Sequence, residues 1–137
     1  MKKVLVLCTG NSCRSQIAHG FLNYYTDESV KIYSAGIEKH GLNANAVESM
    51  KEVGIDISTH TSNKLDEYLD IDFDFIITVC DNANETCPIF PGNSVKLHKN
   101  FKDPTKVLGG EYGEHFISTR DEIKEFIIQF VNKYLAI

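Results

Sequence analysis

Short apolar runs alternate with segments whose apolar residues recur every three or four positions, and the alternation is kept along the whole chain. Val4–Leu7 is an unbroken apolar run and reads as a strand buried on both faces. Ser15–Tyr25 carries Ile17, Phe21 and Tyr24 at helical spacing. Lys31–Ser34 is a second, short strand, closed by Ala35-Gly36. Asn43–Val53 predicts a helix with Ala46, Met50 and Val53 on one face and Gly54 as its C-terminal cap. Ser62–Leu69 reads as a short third helix. Phe73–Cys80, rich in β-branched and aromatic residues, is the clearest strand. Asp81–Gly92 reads as irregular, with Pro88, Pro91 and Gly92 as breakers. Val95–His98 is a fourth strand, and Asn100–Gly113 is a long polar loop. From about Phe116 a final helix runs to the end, with Ile123, Ile127, Phe130 and Tyr134 as its apolar stripe.

Alternation of this kind predicts an α/β fold: one domain over residues 1–137, built on a parallel sheet with helices on both faces. Active sites of such sheets gather at the carboxyl ends of the strands. Cys8, Cys80 and Asp103 all fall there, far apart in sequence and brought to one rim by the topology.

Composition narrows the classes. The 137 residues carry 42% hydrophobic and 24% charged side chains, an ordinary globular balance, and a net charge of −5. That charge argues against nucleic-acid or anionic-membrane partners. No apolar stretch approaches the roughly 20 residues of a membrane span, and the N-terminus lacks the features of a signal peptide. A cytoplasmic protein is expected. In a reducing compartment, four cysteines point to catalysis, redox chemistry or metal binding rather than to staples.

The chemistry concentrates directly after the first strand, in Cys8-Thr9-Gly10-Asn11-Ser12-Cys13-Arg14-Ser15. A loop of this length, between a strand and a helix start, can turn its backbone N–H groups onto one tetrahedral oxyanion. Arg14 closes the ring with a planar fork of donors. Cys8 lies at the bottom of the cup, where amides, Arg14 and the helix N-terminus are expected to depress its pKa. Gly10 leaves room for the anion, Asn11 braces the loop or tolerates a positive φ, and Ser15 caps the helix or donates to the sulfur. Cys13 reads as packing, its side chain turned away from the anion. Asp103, restrained by Pro104, is the candidate acid that protonates a leaving oxygen.

Cys80 and Cys87 bracket a polar stretch with weak structural commitment. One simple reading is a thiol relay, in which Cys80 attacks a product attached to Cys8 and Cys87 attacks the resulting disulfide. The other reading leaves Cys80 as a buried strand end and Cys87 as incidental. Their spacing fits no zinc motif. His19, His40, His60, His98 and His115 form no convincing constellation, and Tyr33 and Tyr112 read as core or rim.

These residues resemble a known family. Cys8–Ser15, Tyr33-Ser34-Ala35-Gly36, Gly54-Ile55-Asp56-Ile57-Ser58, Thr78-Val79-Cys80, Cys87-Pro88, Asp103-Pro104 and Arg120-Asp121-Glu122-Ile123 are similar to stretches of thioredoxin-coupled arsenate reductases, a branch of the low-molecular-weight protein tyrosine phosphatase superfamily. The resemblance implies a four-stranded parallel sheet flanked by helices. It implies that Cys8 attacks arsenate held by the loop amides and Arg14, while Asp103 protonates the leaving hydroxyl. Cys80 then releases arsenite as a Cys8–Cys80 disulfide forms, Cys87 converts this to Cys80–Cys87, and thioredoxin reduces it. It implies no metal or organic cofactor, a monomer, and phosphate or sulfate as competing anions. Some relatives bind potassium through an asparagine, a serine and two acids. Asn11 and Ser34 match, but His19 and Asn63 stand at the acidic positions, so no metal is expected. Lys102 also replaces an acid before Asp103, and Thr105–His115 is unlike the reductases. The alternative reading is a phosphatase that hydrolyses phosphotyrosine or small phosphate monoesters through a Cys8 phosphocysteine. A third is a redox sensor or anion-binding module without catalysis.

Overall fold

The computed structural model describes residues 1–106 and 113–135. Its framework is a four-stranded, fully parallel sheet of β1 (Lys2–Cys8), β2 (Val30–Gly36), β3 (Phe75–Thr78) and β4 (Val95–His98), in the order β2-β1-β3-β4. β1 is central, and its side chains from Val4 to Leu7 are wholly excluded from solvent, as the unbroken apolar run demands. The chain crosses from β1 to β2 on one side, then returns from β2 to β3 on the other side of β1. The crevice at the carboxyl end of β1 is therefore a topological switch point, where ligands of open α/β sheets bind.

Helices α1 (Arg14–Tyr25), α2 (Ala44–Lys51), α3 (Asp81–Thr86) and α4 (Glu114–Phe130) flank the sheet, and α1 packs on α4. Asn43 caps α2 by accepting the Ala46 amide at 3.0 Å, and Gly54 closes its C-terminal turn at φ 79°. Arg120 of α4 is buried and donates to the Ser49 carbonyl of α2 at 3.0 Å. No helix among the described residues is long and apolar enough to cross a membrane.

Three expectations change. Ser62–Leu69 forms only a single 3-10 turn at Leu65–Tyr68, because Ser62 and Asn63 are engaged by the loop after β1 instead of by a helix. The Asp81–Gly92 stretch is helical over Asp81–Thr86 and irregular only beyond. Local propensity alone does not favour that helix, but tertiary contacts supply its first turn. The Asp81 amide donates to Asn100 Oδ1 at 3.1 Å, and Asp81 Oδ1 accepts from His98 Nε2 at 2.8 Å. The strand expected over Phe73–Cys80 keeps its ladder only at Phe75–Thr78. The polar loop after Asn100 includes a 3-10 turn at Pro104–Lys106; residues 107–112, Tyr112 among them, lie outside the described residues, as do the last two of the expected final helix.

Candidate active site

The loop between β1 and α1 is a ring whose carbonyls face outward and are all accounted for. Ile37, Glu38, His40 and Asn43 donate their amides to the carbonyls of Cys8, Thr9, Gly10 and Ser12 at 3.2, 2.8, 3.0 and 3.0 Å. Gln16 Nε2 takes the Asn11 carbonyl at 3.0 Å. Among the described residues, the amides of residues 10–13 donate to no backbone carbonyl, which leaves them available to an anion. An amide ring with this polarity is an anion nest. The start of α1 adds to it, because no acidic residue in its first turn offsets its dipole.

The ring is rigid because its bracing is buried. Asn11 adopts φ 47°, the left-handed conformation that asparagine tolerates. Its side chain donates to Ser15 Oγ at 2.8 Å and accepts the Asn63 amide at 2.7 Å. Ser62 Oγ donates to the Gly10 carbonyl at 3.1 Å. Gln16, fully buried, also holds the Thr61 carbonyl at 3.0 Å, and its Oε1 lies 3.2 Å from His60 Nδ1. Gly36 has no room for a side chain: a Cβ there would lie 2.3 Å from the Glu38 carbonyl oxygen and 2.7 Å from the Asn11 amide.

The ring encloses a cavity of about 170 Å³ lined by Cys8, Thr9, Gly10, Ser12, Cys13, Arg14, His40, Asp103 and Thr105. Cys8, Arg14 and Asp103 thus meet, as their sequence positions predict. Arg14 is held by the loop after β4: Nη1 donates to the Phe101 carbonyl at 2.9 Å, and Nη2 lies 3.6 Å from Asp103 Oδ2. Asp103 Oδ1 accepts from the Thr105 amide at 2.9 Å and the Thr105 hydroxyl at 2.6 Å, leaving Oδ2 turned to Arg14. Asn11 and Ser15 do not line the cavity, and Ser15 makes no helix cap: its hydroxyl accepts from Asn11. Cys13 is among the residues that line it. Its thiol is pushed up to about 12, by burial first and the Asp103 charge second.

Cys80, at the N-cap of α3, sits against the cup. Its Sγ lies 3.3 Å from Thr9 Oγ1, and its ionisation is linked to that of the Cys8 thiol. Asn82 Nδ2 donates to Thr9 Oγ1 at 3.3 Å, so the Thr9 hydroxyl links Asn82 to the Cys80 sulfur. The two thiols titrate as a unit that gives up its first proton easily and its second with difficulty. The Cys8 thiol, helped by Thr9, the Ala83 amide and Arg14, pulls Cys80 down to about 5. Cys80 in turn, then burial, pushes Cys8 well up against the pull of Arg14. The expected depression of Cys8 is therefore reversed while its partner carries the charge. The cup alone favours a Cys8 thiolate, but a second sulfur beside it competes for the same negative charge. Cys87 caps the other end of α3, half-buried, with its thiol raised by burial.

The four positions that hold potassium in relatives do not fit that ion here. Ser34 Oγ is paired with His19 Nδ1 at 2.7 Å, Asn11 Oδ1 accepts the Asn63 amide, and Asn63 Oδ1 accepts from Thr61 at 2.6 Å. His19 is neutral, its pKa lowered to about 3 by burial and then by neighbouring His60.

His40 was not singled out by the sequence, yet it lines the cavity. The signal was Gly36: a residue without a side chain at the end of a strand neighbouring β1 lets residues 37–43 run beside the loop.

Comparison with known proteins agrees with this geometry. An arsenate reductase of Staphylococcus haemolyticus is 46% identical over 129 residues, which cover 94% of this chain and 95% of that protein. A solved arsenate reductase in its phosphate-binding state superposes with a TM-score of 0.81 at 31% identity, covering 97% of this chain and 98% of that one. A thioredoxin-dependent arsenate reductase from Corynebacterium glutamicum matches with a TM-score of 0.74 at 27% identity, over 96% of this chain and 61% of that one. The family model of low molecular weight phosphotyrosine protein phosphatases matches residues 3–136, and the chain belongs to that family.

Proposed function

We propose that this protein reduces arsenate to arsenite. The observation that carries the reading is Cys80, a second sulfur set against the cup 3.3 Å from Thr9 Oγ1, for which ester hydrolysis has no use. The oxyanion enters the amide ring, with two of its oxygens on Arg14. As the shared proton crosses to Cys80, Cys8 Sγ attacks arsenic, and Asp103 protonates the departing hydroxyl, which leaves as water. Cys80 passes its proton to an oxygen of the arsenic adduct and, supported by Thr9 and the Ala83 amide, attacks Cys8 Sγ. The electron pair of the S–As bond goes to arsenic, arsenite departs, and a Cys8–Cys80 disulfide remains. Cys87 then attacks Cys80, frees Cys8 as a thiolate and leaves Cys80–Cys87. Thioredoxin reduces that disulfide, the reductant on which the related arsenate reductase of Corynebacterium glutamicum depends. Every group of the relay is on one chain, so a monomer suffices. A reaction that consumes reductant suits the cytoplasm.

The small size of the cavity supports this reading over a phosphotyrosine phosphatase. The test is arsenate-dependent NADPH consumption with thioredoxin and thioredoxin reductase. Cys80→Ser should abolish it while aryl phosphate hydrolysis persists. A wild-type protein that consumes no NADPH with arsenate would overturn the proposal.

A further inference from the structure

The mouth of the cup carries a histidine that the relay does not use. The His40 amide is tied to the Gly10 carbonyl at 3.0 Å, and the Glu38 amide to the Thr9 carbonyl at 2.8 Å. Both residues are therefore fixed to the anion ring by main chain. Their side chains pair across the rim, with His40 Nε2 2.7 Å from Glu38 Oε2. That pairing turns the other edge of the ring onto the loop: a Cβ built on Gly10 would lie 2.2 Å from His40 Nδ1 and 2.6 Å from Cγ. The imidazole thus rests on the bare Cα of Gly10 and forms one wall of the cavity, with Asp103 and Thr105 also lining it.

In-line attack from Cys8 fixes what this wall meets. Three oxygens of a tetrahedral guest face the amide ring and Arg14, and the fourth points away from Cys8 toward the mouth. In an inorganic oxyanion that fourth group is an oxygen or hydroxyl. In an ester it carries carbon, which has to leave the cavity past the imidazole.

We propose that His40, oriented by Glu38, is a specificity-determining residue whose Nδ1, the nitrogen not paired with Glu38, hydrogen-bonds the outward oxygen of a small inorganic oxyanion, and whose ring narrows the mouth against esters. The proposal rests on the cup being an oxyanion site and deepens it by naming the class of guest. Gly10 acquires a second role, because any side chain there displaces the imidazole.

The test needs no arsenate. In aryl phosphate hydrolysis, inorganic phosphate is measured as a competitive inhibitor. His40→Ala should raise its inhibition constant roughly tenfold, the loss of one hydrogen bond to a charged group. It should leave the KM for p-nitrophenyl phosphate unchanged or lower. His40→Gln, which keeps a polar group at the rim, should recover part of the phosphate affinity, whereas a merely structural role would shift both constants together. Equal shifts in the two constants, or none in either, would overturn the assignment. Failure of arsenate turnover in the wild type would instead count against the reductase reading and leave this ratio to be judged by itself.

Discussion

A disulfide between Cys80 and Cys87 cannot form while α3 is intact. Seven residue steps along a helix at 1.5 Å each separate the two Cα atoms by about 10 Å, against the roughly 4–7 Å that a disulfide spans. The relay therefore requires α3 to unwind, and the stability of α3 must enter the reduction potential of the pair. Ala83 is the residue through which to measure this. It is the buried residue of α3, fully excluded from solvent, while its amide supports the Cys80 sulfur. Ala83→Gly keeps that amide. It strips one methyl from the core, about 0.8 kcal/mol, and adds the backbone freedom of glycine, about 1 kcal/mol. The sum, roughly 2 kcal/mol, falls on the helical, reduced form and spares the unwound, oxidised one. For a two-electron couple this makes the potential more negative by about 40 mV. Wild type and variant would be equilibrated in graded dithiothreitol redox buffers, quenched in acid, alkylated, and the Cys80–Cys87 fraction read by mass. A potential that is unchanged, or less negative, would refute the claim that α3 is unwound in the oxidised protein.

Three further outcomes follow from the geometry of the ring. Gly36→Ala should abolish phosphate binding, measured by calorimetry, because its Cβ meets main-chain atoms of Glu38, Asn11 and Gly10 that cannot rotate away; a variant that binds normally would show that the loop is not held as described. Asn11→Ala should cost about 2–4 kcal/mol in urea unfolding, from the loss of asparagine's tolerance of the left-handed φ and from the Ser15 hydroxyl and Asn63 amide left without donor and acceptor; a loss under 1 kcal/mol would contradict it. His19 is neutral when folded, with a pKa near 3 against 6.5 when free, so between those values the unfolded chain holds more protons. The stability from this difference is complete above about pH 6.5 and drains as pH falls toward 3, by up to about 1.4 kcal/mol per pH unit. His19→Asn should flatten that arm of the urea stability curve between pH 7 and 5, and an equally steep arm in the variant would rule it out.

What was legible in the sequence was what local spacing encodes. The β1 run, the Cys-x5-Arg loop and Asp103-Pro104 place Cys8, Arg14 and Asp103 at one rim through topology alone, and the rim is where they meet. What depended on contacts between distant segments was not legible. The ionisation of Cys8 was misjudged because its governing partner, Cys80, is 72 positions away and enters only through the packing of α3. His40 escaped notice because the four-residue step from Gly36 to the cup mouth carries no periodic signal. The Asp81–Thr86 segment is the most instructive miss. Asp-Asn-Ala-Asn-Glu-Thr is a poor helix former, and six residues are too few to hold a helix unaided, so the irregular reading was the correct local one. The helix exists because Asn100 and His98 grip Asp81 at its first turn, next to Cys80, while the Cys87 end is held mainly by the Thr86 hydroxyl on the Asn82 carbonyl within the helix itself. A weak sequence anchored at one end unwinds from the other. Unwinding from the Cys87 end leaves Cys80 against the cup and carries Cys87 toward it, which is the order of events the relay needs.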